Sequence, residues 1–146
     1  MSVGGKIDRG SQTLPWAFVL YAAATLLHFA HNAEYLTQYP HLPLSWSRGD
    51  VYGTWCCLMA VGLLGYGLYR FGRRNIGLAV LGFYAILGFG GLLHYTRAPM
   101  ACHAAMMNVT IWAEAVAGAL LLANVVGMLS GVASGAMPRN NRRREP

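Results

Sequence analysis

The stretch Leu26-Leu27-His28-Phe29-Ala30-His31-Asn32-Ala33-Glu34 ends a long apolar run with four polar or ionisable side chains. At 3.6 residues per turn, His28, His31 and Asn32 share one face of a helix, and Glu34 follows three residues after His31. Polar groups are costly inside a bilayer, so they normally face a protein interior and mark function. The stretch therefore predicts a membrane-crossing helix whose polar face turns toward other helices.

The composition of the whole chain is that of a membrane protein. Of its 146 residues, 55% are hydrophobic and only 11% are charged, whereas soluble domains carry roughly 25% charged residues. The net charge of +6 does not indicate a nucleic-acid partner, because the basic residues lie in short segments between apolar runs. Three cysteines are an odd number, which argues against a disulfide framework.

Four apolar runs, each near the roughly 20 residues that a helix needs to cross the hydrocarbon, predict an all-α, four-helix transmembrane bundle. We expect helices at about 14–35, 51–71, 76–95 and 104–130, within a transmembrane domain of residues 14–131. Residues 1–13 and the basic segment 132–146 are expected to be tails. The first run exceeds the apolar length of a signal peptide and no small-x-small cleavage site follows it, so we expect it to be retained.

The basic residues predict the orientation of the chain. If both termini are cytoplasmic, nine of the eleven lysines and arginines lie on the cytoplasmic side, and only Arg48 and Arg97 lie outside. This arrangement predicts a multi-pass protein of the inner membrane whose loops 37–50 and 96–103 face outward. All five histidines, which are His28, His31, His41, His94 and His103, then lie at or near the outer side.

The fourth run carries a second polar face. If its helix begins one turn early, His103, Met107, Thr110 and Glu114 stand at i, i+4, i+7 and i+11 and form one stripe, with Asn108 beside it. Glu114 then lies roughly 15 Å into the helix at 1.5 Å per residue. A bundle that turns this stripe and the face of the first helix inward would enclose one polar pocket, open to the outer side.

The residues of this pocket predict a bound transition metal, copper or iron, or a haem. Neutral imidazole is the commonest metal ligand, and soft sulfur near the mouth favours copper. Helix bundles also hold haem between facing histidines. The expected metal ligands are His28, His31, His94 and His103. The residues expected to contact the cofactor are Asn32, Asn108 and Glu114.

Two alternatives stay open beside metal binding. The chain could be an accessory or assembly subunit of a larger complex, or a homo-oligomer, packed through small residues that recur every four positions. These are Ala115, Ala119, Ala123, Gly127, Gly131 and Gly135. It could instead be a small-lipid enzyme with Glu114, the candidate catalytic residue, and His28 as acid and base.

Other conspicuous residues have plainer interpretations. Tyr39, Trp46 and Tyr52 are predicted to belong to the aromatic belt at the membrane interface. The adjacent Cys56 and Cys57 are predicted to be small apolar packing residues. Glu34, at the helix end, is expected to lie in water.

Overall fold

The computed structural model describes residues 9–40 and 45–135, and 89% of these residues are helical with no strand among them. The all-α prediction is therefore confirmed. The helices are α1 (Arg9–Glu34), α2 (Arg48–Arg70), α3 (Arg74–Leu87), α4 (His94–Arg97) and α5 (Ala105–Gly135). Short 3₁₀ turns occupy Leu36–Gln38, Gly88–Leu93 and Met100–Cys102. His41 and most of both predicted tails lie outside the described residues.

Within the described ranges, four helical segments are long and apolar enough to cross a membrane, as the sequence predicts. They are Gln12–Glu34, Arg48–Arg70, Arg74–Arg97 and Ala105–Gly131. The third segment joins α3, the 3₁₀ turn Gly88–Leu93 and α4, where the sequence predicts one continuous helix. By length and composition, this part of the chain has the character of a multi-pass membrane protein.

Local chemistry sets the two ends of α2. The Ser47 hydroxyl accepts a hydrogen bond from the Asp50 backbone N–H, and the Asp50 carboxylate accepts one from the Ser47 backbone N–H, which is a capping box. At the other end, Gly72 has a φ of +86° in the tight turn before α3. Glycine adopts this left-handed conformation without the steric cost that other residues meet.

Glycines bring α2 and α3 into close contact near this turn. A Cβ atom on Gly62 would lie 2.7 Å from the Tyr84 ring, and one on Gly77 would lie 2.3 Å from the backbone nitrogen of Tyr69. Missing side chains at such positions let helix backbones approach in lipid. The α2–α3 pair is therefore tightest in the half of the protein near its turn.

The other helices close around the same core. α1 packs against α5 and α2, and α3 packs against α5. In the centre the Tyr21 and Tyr84 rings lie 4.6 Å apart, and the Tyr21 hydroxyl donates to the backbone carbonyl of Tyr84 at 3.0 Å. The core residues in contact include Leu14, Leu78 and Leu121.

Buried residues change from apolar to polar along α1 and α5. In α1, the apolar core ends at Ala24, and the buried residues Thr25, His28 and Asn32 follow. In α5, the buried polar residues end at Glu114, and the apolar core begins at Ala117. We call the polar half the histidine end; there α1 and α4 end, and α2 and α5 begin.

Candidate functional site

Three buried polar side chains meet at the histidine end. His28 and Asn32 of α1 are 2% and 8% exposed, and Glu114 of α5 is 2% exposed. The Asn32 amide donates to His28 Nε2 at 3.0 Å. Glu114 Oε2 lies 3.6 Å from the same nitrogen, beyond hydrogen-bond length. We call these three residues the polar cluster.

Gly91, in the 3₁₀ turn, forms one wall of the polar cluster. A Cβ atom at this position would lie 2.9 Å from Glu114 Oε2 and 3.6 Å from His28 Nε2. A Cβ atom on the neighbouring Gly88 would likewise lie 2.7 Å from the Tyr21 ring. The glycines of this turn therefore let the segment Arg74–Arg97 lie directly against side chains of α1 and α5.

Each residue of the polar cluster has a buried atom with no hydrogen-bond partner in the described part of the chain. These atoms are His28 Nδ1, Asn32 Oδ1 and Glu114 Oε2. Leaving a buried polar atom unpaired costs about 1–3 kcal/mol, and folded proteins contain few of them. Such atoms beside a cavity indicate that a bound molecule or ordered water completes the site.

A cavity of about 280 Å³ lies next to the polar cluster. Its walls are mainly apolar, and its ionisable groups include His94 and Arg97 as well as those of the cluster. The other lining residues are Phe29, Leu36, Trp46, Val51, Thr54, Leu58, Leu87, Gly90, Gly91 and Leu93. Apolar walls with a few convergent polar groups are typical of small-molecule sites.

The four described histidines form a row rather than a common centre. His94 is the link, since its ring centroid lies 5.7 Å from that of His28 and 6.2 Å from that of His103. His103 Nδ1 donates to the Pro99 carbonyl at 3.1 Å, which leaves Nε2 buried and unpaired. His31 points instead toward Tyr39 and does not line the cavity.

No group of three or more His, Cys, Asp or Glu side chains in the described ranges is arranged to hold a metal ion. The predicted ligands His28, His94 and His103 are neighbours, but they do not converge on one point. The expected cofactor residue Asn108 lies elsewhere: it accepts from the Tyr95 hydroxyl at 2.8 Å and donates to the His103 carbonyl. It holds the loop before α5 in place.

Three residues of the predicted stripe, Met107, Thr110 and Glu114, are buried on α5. The helix does not begin one turn early, however, because His103 precedes it in extended backbone, where it is also buried. The small-residue face of α5 points mostly away from the described helices, since a Cβ atom on Gly127 or Gly131 would meet nothing within 4 Å. Contact of this face with another protein stays a prediction.

Tyr39 is a residue of the site that sequence reasoning misplaced. It was expected at the membrane interface, but it is only 4% exposed, and its ring lies 5.1 Å from that of His94. Burial raises the pKa of Tyr39 to about 12, so the phenol keeps its proton and can donate to His31 Nδ1, 2.8 Å away. Its position one residue before Pro40 in a polar loop gave no sign of this burial.

Two other expectations concern the surface. Cys56 and Cys57 are exposed on α2, so the prediction that they pack inside is wrong. Glu34 is exposed, as expected, and accepts hydrogen bonds from Arg48 and from the Tyr52 hydroxyl. These contacts connect the end of α1 to the start of α2.

The chain matches no family model, no curated protein and no solved structure. Its class is therefore defined by fold and site alone. It is an all-helical chain with four helices suited to crossing a membrane, and a cavity between them ends at a buried histidine, amide and carboxyl.

Proposed function

We propose that this protein binds a small molecule with an apolar body and one polar group in the cavity at the histidine end. The observation that carries the proposal is that the cavity lies against buried polar atoms without partners. An engineered cavity of about 150 Å³ holds benzene. A space of about 280 Å³ can therefore take a ring with a short chain.

The chemistry of the polar cluster favours a hydroxyl group on the bound molecule. Asn32 Oδ1 and the carboxyl oxygens of Glu114 can accept hydrogen bonds, and an O–H group can donate to either residue. Because His28 Nε2 accepts from the Asn32 amide, the neutral ring carries its proton on Nδ1. Each new hydrogen bond contributes about 0.5–1.5 kcal/mol to the binding free energy.

His28 and Glu114 also support the alternative that the protein is a small-lipid enzyme. His28 and Glu114 are close enough to share the work of acid and base on one bound group, and both lie away from water. General acid–base catalysis requires such groups within reach of the proton that moves. In the predicted orientation, with both termini cytoplasmic in a bacterial inner membrane, the histidine end would face the periplasm.

A matched pair of probes tests the binding proposal. Purified protein is unfolded by heat in detergent with 4-butylphenol or with butylbenzene, which lacks only the hydroxyl. A ligand at 100 times its Kd stabilises the folded state by about 2.7 kcal/mol. We expect stabilisation by both probes, with 4-butylphenol binding up to about tenfold more tightly because of the added hydrogen bond.

Two variants test whether the preference for 4-butylphenol over butylbenzene arises at the polar cluster. Glu114→Leu removes the carboxyl group from the cavity and should reduce the preference for 4-butylphenol over butylbenzene, with Asn32 Oδ1 remaining as an acceptor. Ser130→Ala, an exposed change on the same helix far from the cavity, should keep the preference. Equal affinity of the unmodified protein for the two probes, or no binding of either, would refute the proposal.

A single metal ion is the second candidate ligand, because the distances from His28 Nε2 to its two polar neighbours match those between metal ligands. Metal–ligand bonds of about 2.0–2.2 Å at tetrahedral angles place two ligand atoms about 3.4 Å apart. The Asn32 amide and Glu114 Oε2 lie 3.0 and 3.6 Å from His28 Nε2. An ion there would take these three residues as ligands once the Asn32 amide turns its oxygen inward. The His94 ring is a further imidazole, with its centroid 5.7 Å from that of His28. Haem has no comparable spacing in its favour.

The metal candidate has its own test. Purified protein is incubated with Zn²⁺, Cu²⁺ or Fe²⁺ alone, passed through a desalting column and analysed for bound metal. We expect one ion per chain, lost in His28→Ala and retained in His31→Ala, which removes an imidazole of the same helix outside the cavity. Retention that does not depend on His28 would contradict it.

A further inference from the structure

We infer that the cavity is reached from within the membrane, through a slit between the first half of α2 and residues 88–97. The class of ligand is then an amphiphile dissolved in the bilayer rather than a solute taken from water. This inference rests on the proposed function and adds the route by which the small molecule arrives.

The slit follows from how the third membrane-crossing segment is packed. In the half of the protein near Gly72 it lies against α2, because the absence of a Cβ atom lets Gly62 contact Tyr84 and Gly77 contact Tyr69. At the histidine end it lies against α1 and α5, because Gly91 lies directly beside the side chains of His28 and Glu114 there. The segment therefore leans away from α2 as it approaches the histidine end, and a wedge-shaped gap opens between them.

The change of helix type contributes to this gap. A 3₁₀ turn has three residues per turn and a rise of about 2.0 Å, so it is narrower than an α-helix and turns its side chains in other directions. Gly90, in the middle of this turn, is exposed, and a Cβ atom there would meet nothing within 4 Å. The backbone at Gly90 thus leaves open space beside the cavity that it lines.

The two sides of the slit are exposed where they line the cavity. Thr54 on α2 is exposed, and Leu93 on the other side is 62% exposed. Further from the histidine end, Leu58 lines the cavity on the α2 side and Leu87 lines it on the opposite side, and both are half-buried. Both sides belong to segments that are apolar enough to cross a membrane.

The depth of these residues indicates hydrocarbon at the slit. Thr54 and Leu58 lie six and ten residues beyond Arg48, which corresponds to about 9 and 15 Å along α2. A hydrocarbon core is about 30 Å thick, so the slit extends from one end of the span to about its middle. An apolar body would move sideways through it from lipid, and the polar group would then meet the polar cluster.

A crosslink across the slit tests the route. Thr54→Cys and Leu93→Cys are combined in a protein whose three native cysteines are replaced by serine. The protein is loaded with 4-butylphenol, joined by a short bis-maleimide, and the release of the probe is followed by rapid dilution. We expect release to slow by about tenfold or more, because a closed slit raises the barrier to dissociation without removing the polar contacts. Each single-cysteine variant carrying the same reagent is the control, and it should release the probe faster than the crosslinked protein.

A second variant covers the case in which the crosslinked protein does not fold. Gly90→Leu adds a side chain at the side of the slit, where there is space for it. It should slow both binding and release of 4-butylphenol. If release through the crosslinked slit is unchanged, or if Gly90→Leu leaves both rates unchanged, the inference is overturned and the proposed function stands. If the uncrosslinked protein does not bind 4-butylphenol, the proposed function fails, and the inference fails with it.

Discussion

Substituting Gly91 by alanine is the most direct perturbation of the site. The new methyl carbon would lie 2.9 Å from Glu114 Oε2, whereas weak carbon–oxygen contacts in proteins lie at about 3.3–3.6 Å. The carboxyl group must therefore move by about 0.5 Å. It stands at the end of a flexible side chain, so the movement can occur without displacing a backbone. We expect Gly91→Ala to fold with an altered polar cluster.

The expected magnitude follows from the contact that is disturbed. Misaligning one hydrogen bond costs about 0.5–1.5 kcal/mol, which corresponds to a loss of about two- to tenfold in affinity. That loss should appear for 4-butylphenol. Butylbenzene, which has no hydroxyl, should bind the variant as it binds the unmodified protein.

Gly90→Ala is the matched control, because its methyl group would meet nothing within 4 Å. Both variants change the freedom of the unfolded chain in the same way, so their difference isolates the contact with Glu114. The assay is titration of each purified variant with the two probes, alongside thermal unfolding without a probe. If Gly90→Ala weakened the binding of 4-butylphenol as much as Gly91→Ala, or if Gly91→Ala had no effect, the geometry argued for the polar cluster would be wrong.

Three further predictions concern the framework around the site. Gly77→Ala would place a methyl group 2.3 Å from the backbone nitrogen of Tyr69, so we expect a loss of about 3 kcal/mol in the free energy of unfolding by denaturant, whereas Gly67→Ala should change it little. Burial holds the neutral phenol of Tyr39, whose pKa rises from 10.0 to about 12; its contribution to stability is therefore complete below pH 10 and lost as pH rises through about 12. Tyr39→Phe should therefore reduce the loss of unfolding free energy between pH 10 and about 12, measured by denaturant unfolding at a series of pH values. An unchanged pH profile would contradict the burial of Tyr39. Arg48→Ala removes an exposed ion pair to α1 and should cost less than about 1 kcal/mol in the same measurement.

The four segments suited to crossing a membrane and the buried positions Met107, Thr110 and Glu114 of α5 could be predicted from the sequence, because both are local properties. Apolar length alone identifies a candidate span, and residues at i, i+3 and i+7, such as Met107, Thr110 and Glu114, share a face wherever a helix forms. The depth of Glu114 also follows from counting residues. For these reasons the sequence predicts that Glu114 is buried beside a histidine of the first helix.

Only the tertiary structure decided which polar groups meet. His28 and His31 are one helical turn apart and look equivalent in the sequence, yet one contacts Glu114 and the other Tyr39. The choice depends on the rotation of α1 against α5, and that rotation is set by contacts between residues far apart in the chain. The close approach at Gly91 and the buried position of Tyr39 depend on the same contacts. Local periodicity therefore determined which faces turn inward, whereas packing between distant segments determined the site that those faces form.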